Sequence, residues 1–122
     1  MKKIFLEGND GTGKSSAVEF LKGLGYEAYD RSGLSETTLD DVLRIEENVI
    51  YIVLECPVEM SLQRLQEAGK DMTEEWHTEE SLRYFLTKFR EVGEKYNAIF
   101  ISSAGSKAET QSLILKAIKD YV

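Results

Sequence analysis

Gly8-Asn9-Asp10-Gly11-Thr12-Gly13-Lys14-Ser15 follows the spacing G-x-x-x-x-G-K-[ST] without a mismatch. Glycines at these positions let a backbone turn its N–H groups inward around a phosphate, and a helix starting there adds its positive dipole end. At this spacing Lys14 is placed to reach the β- and γ-phosphates of a nucleotide, and the Ser15 hydroxyl to ligate Mg²⁺. Residues Gly8, Asn9, Asp10, Gly11, Thr12, Gly13, Lys14, Ser15 and Ser16 are therefore the expected nucleotide-binding set. A glycine-rich turn that binds nothing is the competing reading. The flanks count against it: Lys2-Lys3-Ile4-Phe5-Leu6-Glu7 reads as a buried strand, and Ser16 to Lys22 as a helix with apolar residues at 17, 18, 20 and 21.

Asp30-Arg31 is the second candidate. Tyr26-Glu27-Ala28-Tyr29 reads as a short strand that delivers this pair to its C-terminal end, and ligands of open α/β sheets sit beyond such ends. Arginine can fork onto a phosphate; aspartate can hold Mg²⁺ or take a proton from an attacking group. The alternative is a turn aspartate beside a surface arginine. Asp10 lies inside the loop and Glu7 just before it, where their charge would repel a nucleotide unless it held a metal or a sugar hydroxyl. Arg64, Lys70, Arg83 and Arg90 are candidate contacts to a base or lid, or simply solvated helix charges. His77 reads as a surface histidine, Cys56 as a small core residue, and Trp76, Phe85 and Phe89 as core.

The elements that position these residues alternate. After the first βα unit, closed at Gly23-Leu24-Gly25, Leu39, Val42 and Leu43 mark a short helix to about residue 46. Val49 to Leu54 is an uninterrupted apolar run, the pattern of a strand covered on both faces. A helix from 58 to 68 follows, then a polar lid around 69–76. Leu82, Phe85, Leu86, Phe89 and Val92 mark a long amphipathic helix, Ala98 to Ile101 a fourth strand, and 107–121 a final helix. Such alternation implies a parallel sheet with helices on both faces.

Composition bounds the reading. The 122 residues fit a single domain spanning 1–122, with 42% hydrophobic and 30% charged residues. No stretch has the length of a membrane span and no long apolar signal region opens the chain, so a cytoplasmic protein without a membrane partner is expected. One cysteine excludes an internal disulfide, and a net charge of −7 argues against long nucleic acid as a partner.

Leu6 to Ser16 resembles the opening of the thymidylate kinase family of P-loop kinases, Glu-Gly-x-Asp-Gly-x-Gly-Lys-Ser-Thr. Asp30-Arg31-Ser32-Gly33-Leu34-Ser35 is similar to its Asp-Arg-x-x-x-Ser signature, and Leu54 to Arg64 to its strand-to-helix segment, with Glu55 where aspartate is usual. The resemblance implies transfer of the γ-phosphoryl of ATP to a small nucleoside or nucleoside monophosphate. Lys14 and the loop amides would hold ATP, Ser15 and Asp30 Mg²⁺, Arg31 an acceptor phosphate, and Asp10 the acceptor's sugar. Lys14, Asp30 and Arg31 are the expected catalytic residues.

One helix separates the two signatures here, where the family inserts a further strand and helices that cradle the acceptor base. A three-layer P-loop NTPase-type fold with four parallel strands in the order 2-1-3-4 is expected, its acceptor site short of a wall that a second subunit of a homodimer could supply. Ala68 stands where the family often has a lid arginine. A kinase for an oligonucleotide end and a non-catalytic ATP-binding module are the alternatives. A guanine-specific switch lacks its Asn/Thr-Lys-x-Asp motif.

Overall fold

The computed structural model describes residues 3–9, 11–30 and 49–120. Asp10, Arg31, the expected helix ending near residue 46 and the side chain of Trp76 lie outside the described set. Four strands alternate with helices: β1 (Lys3–Gly8), α1 (Lys14–Gly23), β2 (Glu27–Asp30), β3 (Val49–Glu55), α2 (Val58–Glu67), α3 (Glu79–Lys95), β4 (Ile99–Ser102) and α4 (Lys107–Lys119). A 3₁₀ turn, Glu75–His77, precedes α3. All strand pairs among the described residues are parallel and the order is β2-β1-β3-β4, as the sequence predicts.

Alternation along the strands assigns the layers. Ile4 and Leu6 of β1, and Ile50, Ile52 and Leu54 of β3, pack with Ala17, Val18 and Leu21 of α1 and Ile114 and Ile118 of α4. The opposite face carries Phe5, Tyr51 and Val53, covered by Phe89 of α3. Successive strand residues point to opposite faces, so an apolar run six residues long must be covered on both. Val49 to Leu54 meets that condition, and Ile50 through Leu54 are all buried. A smaller cluster of Val58, Leu65 and Leu82 joins α2 to α3.

The helix ends follow local chemistry. At the end of α1 the Tyr26 N–H donates to the Leu21 carbonyl and Gly25 to Lys22; Lys70 and Gly69 repeat the pattern on Leu65 and Gln66 after α2. Thr78 caps α3 by accepting from the Ser81 N–H, and Ser106 with Glu109 forms a reciprocal capping box on α4. α1 starts two residues earlier than its apolar pattern suggests, at Lys14. The order β2-β1-β3 reverses direction at β1, so the crevice of this sheet opens beyond the C-terminal ends of β1 and β3.

Candidate phosphate-binding site

The glycine loop joins β1 to α1 at that crevice. Gly8 backs onto β3: a Cβ there would stand 2.5 Å from the Leu54 carbonyl oxygen. Gly11 has φ +83° and lies against the first turns of α2, where a Cβ would meet the Ser61 carbonyl oxygen at 2.7 Å. Thr12 is buried, and its hydroxyl donates to the Asn9 carbonyl at 2.6 Å, closing the turn. Gly13 is the N-cap of α1 and offers no side-chain cap. Of the four described α-helices, α1 alone starts with neither a capping side chain nor an acidic residue in its first turn. Among the described residues no side chain caps its first N–H groups, and an anion there is favoured by the helix dipole.

Two cavities flank the start of α1. One, of about 350 Å³, runs from Gly11, Thr12 and Gly13 past Ser16 and Ala17 to Arg64 and Ala68 on α2, and to Ser103, Gly105, Lys107 and Gln111 around the start of α4. The other, of about 370 Å³, is lined by Ser15, Val18 and Lys22 on α1 and by Ala28, Tyr29 and Asp30 on β2. Ser15 and Asp30, expected together at a metal, thus share a cavity, and a hydroxyl with a carboxylate is a hard oxygen set of the kind Mg²⁺ accepts. Lys14 is the first, half-buried residue of α1. Among the described residues no group of three or more His, Cys, Asp or Glu is assembled for a metal.

Of the four cations singled out from the sequence, Arg64 alone lines the first cavity. Its Nη2 donates to the Ser103 carbonyl at 2.6 Å and to Gly105 at 3.3 Å, and its Nη1 donates to Gly11 at 3.3 Å. One planar guanidinium thereby ties the phosphate loop to the loop after β4. Arg83 is spent on Glu59 of α2 at 2.8 Å and, within α3, on Glu79 at 2.7 Å, both in exposed pairs. Its own backbone N–H first, and then Arg83, hold the Glu59 carboxyl below the usual carboxylate range. Arg90 donates through Nε to Glu55 at 2.5 Å, so the acid that ends β3 faces an arginine of α3. Lys70 is exposed at the end of α2.

Asn9 is 4% exposed, and its Nδ2 donates to the Leu82 carbonyl at 2.8 Å, fastening the phosphate loop to α3. Glu7 is fully buried, accepting from the Tyr51 hydroxyl at 3.1 Å beneath α3. His77 is a correction. It is 8% exposed, and its Nδ1 lies 2.9 Å from the Asp71 carbonyl oxygen, six residues back in the chain. The 3₁₀ turn folds the imidazole back onto the backbone of the preceding segment, an effect that its polar neighbours hide. Cys56 is a buried core thiol, 3.2 Å from the Ser61 hydroxyl. Phe89 is core as expected, whereas Phe85 stacks on it yet stays 36% exposed.

The wall formed by Ser103, Gly105, Lys107 and Gln111 is absent from the sequence reading. Its signal was available: Ser103 to Ser106 follows β4 directly, at the same carboxyl end of the sheet where Asp30 ends β2.

No family model matches the chain. The curated "Bifunctional cordycepin biosynthesis cluster protein 3" of the fungus Cordyceps militaris is 25% identical over 140 residues, covering 90% of this chain. The chain spans only 16% of that protein's length. A gluconokinase from Sinorhizobium meliloti 1021 superposes with a TM-score of 0.68 at 14% identity, over 91% of this chain and 87% of that one. Shikimate kinase from Acinetobacter baumannii, in complex with shikimate, gives a TM-score of 0.63 at 15% identity, over 98% and 92%. At this identity the likeness is one of fold: the chain has the architecture of these small kinases.

Proposed function

We propose that the chain transfers the γ-phosphoryl group of ATP to a small acceptor, with Mg²⁺. The observation that carries this reading is the uncapped start of α1 at the end of a G-x-x-x-x-G-K-[ST] loop, opening on two cavities. The first cavity has room for the donor's base, walled by Arg64 and the loop after β4. The loop amides and Lys14 then hold the β- and γ-phosphates at the helix start. Ser15 and Asp30 are the residues that fit Mg²⁺, which when bound there supplies charge neutralisation on the β- and γ-oxygens. An acceptor oxygen attacks the γ-phosphorus, the bond to the β–γ bridging oxygen breaks, and ADP leaves. Asp30 serves either that metal or, in its place, the attacking hydroxyl as proton acceptor, and Arg31 forks onto phosphate oxygens.

The Asp30-Arg31 signature favours a nucleoside or nucleoside monophosphate as acceptor, in a single domain whose 69–76 segment acts as a lid. The fold neighbours favour a second reading, a hydroxyl of a small hydroxy acid, because a gluconokinase and a shikimate kinase share this architecture. Measuring ADP release with nucleosides, nucleoside monophosphates, gluconate and shikimate separates the two. Acceptor-stimulated turnover that Arg31→Ala and Asp30→Asn lower, while ATP affinity is retained, is the expected result. ATP binding with no turnover on any acceptor overturns the kinase reading in favour of a binding module.

A further inference from the structure

The base-side cavity is walled by groups whose hydrogen-bonding capacity is mostly used. The Arg64 guanidinium is committed to three backbone carbonyls. The Thr110 hydroxyl donates to the Ser106 carbonyl at 3.1 Å, and the Ser103 hydroxyl leans on the Glu55 carbonyl at 3.4 Å. Lys107 and Gln111 differ. Both line the cavity, they lie four residues apart and so on one face of α4, and neither side chain has a hydrogen-bond or ion-pair partner among the described residues. The capping box of Ser106 and Glu109 fixes the helix turn that carries them.

An amide presents one acceptor and one donor side by side, whereas an ammonium only donates. Adenine offers the complement of the amide on one edge, its N6 amino group beside the N7 acceptor; guanine offers two acceptors there, O6 and N7. We propose that Gln111 is the residue that selects adenine over guanine in the donor nucleotide, its Oε1 accepting from N6 and its Nε2 donating to N7. Guanine at the same place would set O6 against Oε1, leaving one partner unmatched. Lys107, a donor only, suits guanine's paired acceptors at least as well as adenine's single one, so a preference for adenine cannot come from it. This rests on the proposed ATP site.

The test is titration calorimetry of the full chain with Mg²⁺ and ATP, GTP or inorganic tripolyphosphate, for the parent and for Gln111→Ala, Gln111→Glu and Lys107→Ala. The parent is expected to bind ATP roughly tenfold or more tighter than GTP, the size of one matched bidentate contact. Gln111→Ala should bring the two within about twofold by weakening ATP alone, and Gln111→Glu, which keeps the acceptor and loses the donor, should fall between. Lys107→Ala should leave the ratio unchanged or raised, never lowered. A parent ratio that survives in Gln111→Ala, or a parent without preference, overturns the assignment to Gln111. Tripolyphosphate bound as tightly as ATP overturns it too while leaving the phosphate site intact, and a chain that binds none of the three overturns both.

Discussion

Adding one methyl group at Gly11 and at Gly13 separates the two reasons a phosphate loop needs glycine. Both positions have left-handed φ, +83° and +90°, so alanine costs roughly 1–2 kcal/mol of backbone strain at either. The surroundings differ. At Gly13 nothing lies within 4 Å of the added Cβ, whereas at Gly11 it would meet the Ser61 carbonyl oxygen at 2.7 Å and the Ser61 Cα at 3.1 Å. Those atoms are helix backbone, held by the Ser61 N–H bond to Pro57 and by the fully buried Ser61 itself, and cannot swing aside. Overpacking of that kind costs about 1–3 kcal/mol more. Gly11→Ala should thus lose about 2–5 kcal/mol and Gly13→Ala about 1–2 kcal/mol. Urea unfolding of both variants with a shared slope measures the difference. Losses that agree to within about 0.5 kcal/mol would refute the claim that α2 presses on the loop.

Lys14→Ala should lower ATP turnover by roughly a hundredfold or more while the melting temperature stays within about 2 °C, since a half-exposed cation loses little packing. Arg64→Lys removes the fork that joins Gly11, Ser103 and Gly105; the KM for ATP should rise about tenfold with kcat less affected, read from initial rates across ATP concentrations. Acid should weaken the contacts of Asp71 and Glu59. The Thr73 hydroxyl, then its N–H, holds the Asp71 carboxyl below the usual range, as backbone and Arg83 hold Glu59. A carboxyl depressed in the folded state contributes stability that is complete above its unfolded value near pH 4 and lost as pH falls through its folded value. Melting temperatures recorded from about pH 5 down to about 2.5 should fall less steeply in the Glu59→Gln, Asp71→Asn double variant than in the parent; parallel curves would count against these contacts.

The sequence by itself determined the parts of this protein that are local. Residues 8–15 specify a strand–loop–helix unit because the glycine spacing, the flanking apolar run and the helical pattern all sit close together in the chain. Val49 to Leu54 announces a strand covered on both faces for the same reason: which residues alternate is written in the chain. The sheet order was expected from the family resemblance, which sets the Asp30 strand beside the loop strand, and the described strands follow it. Tertiary structure alone decided what the helices bring to that loop from a distance. Gly11 against Ser61, Asn9 on Leu82, and Arg64 across Gly11 and Ser103 are contacts between residues 39 to 73 positions apart. Each depends on the crossing of packed helices, which side-chain shape sets and periodicity does not. His77 shows the limit most plainly. Flanked by Trp76 and Thr78 between acidic pairs, it has the local pattern of a surface residue, and only the return of the 71–77 segment onto its own backbone carries it inside.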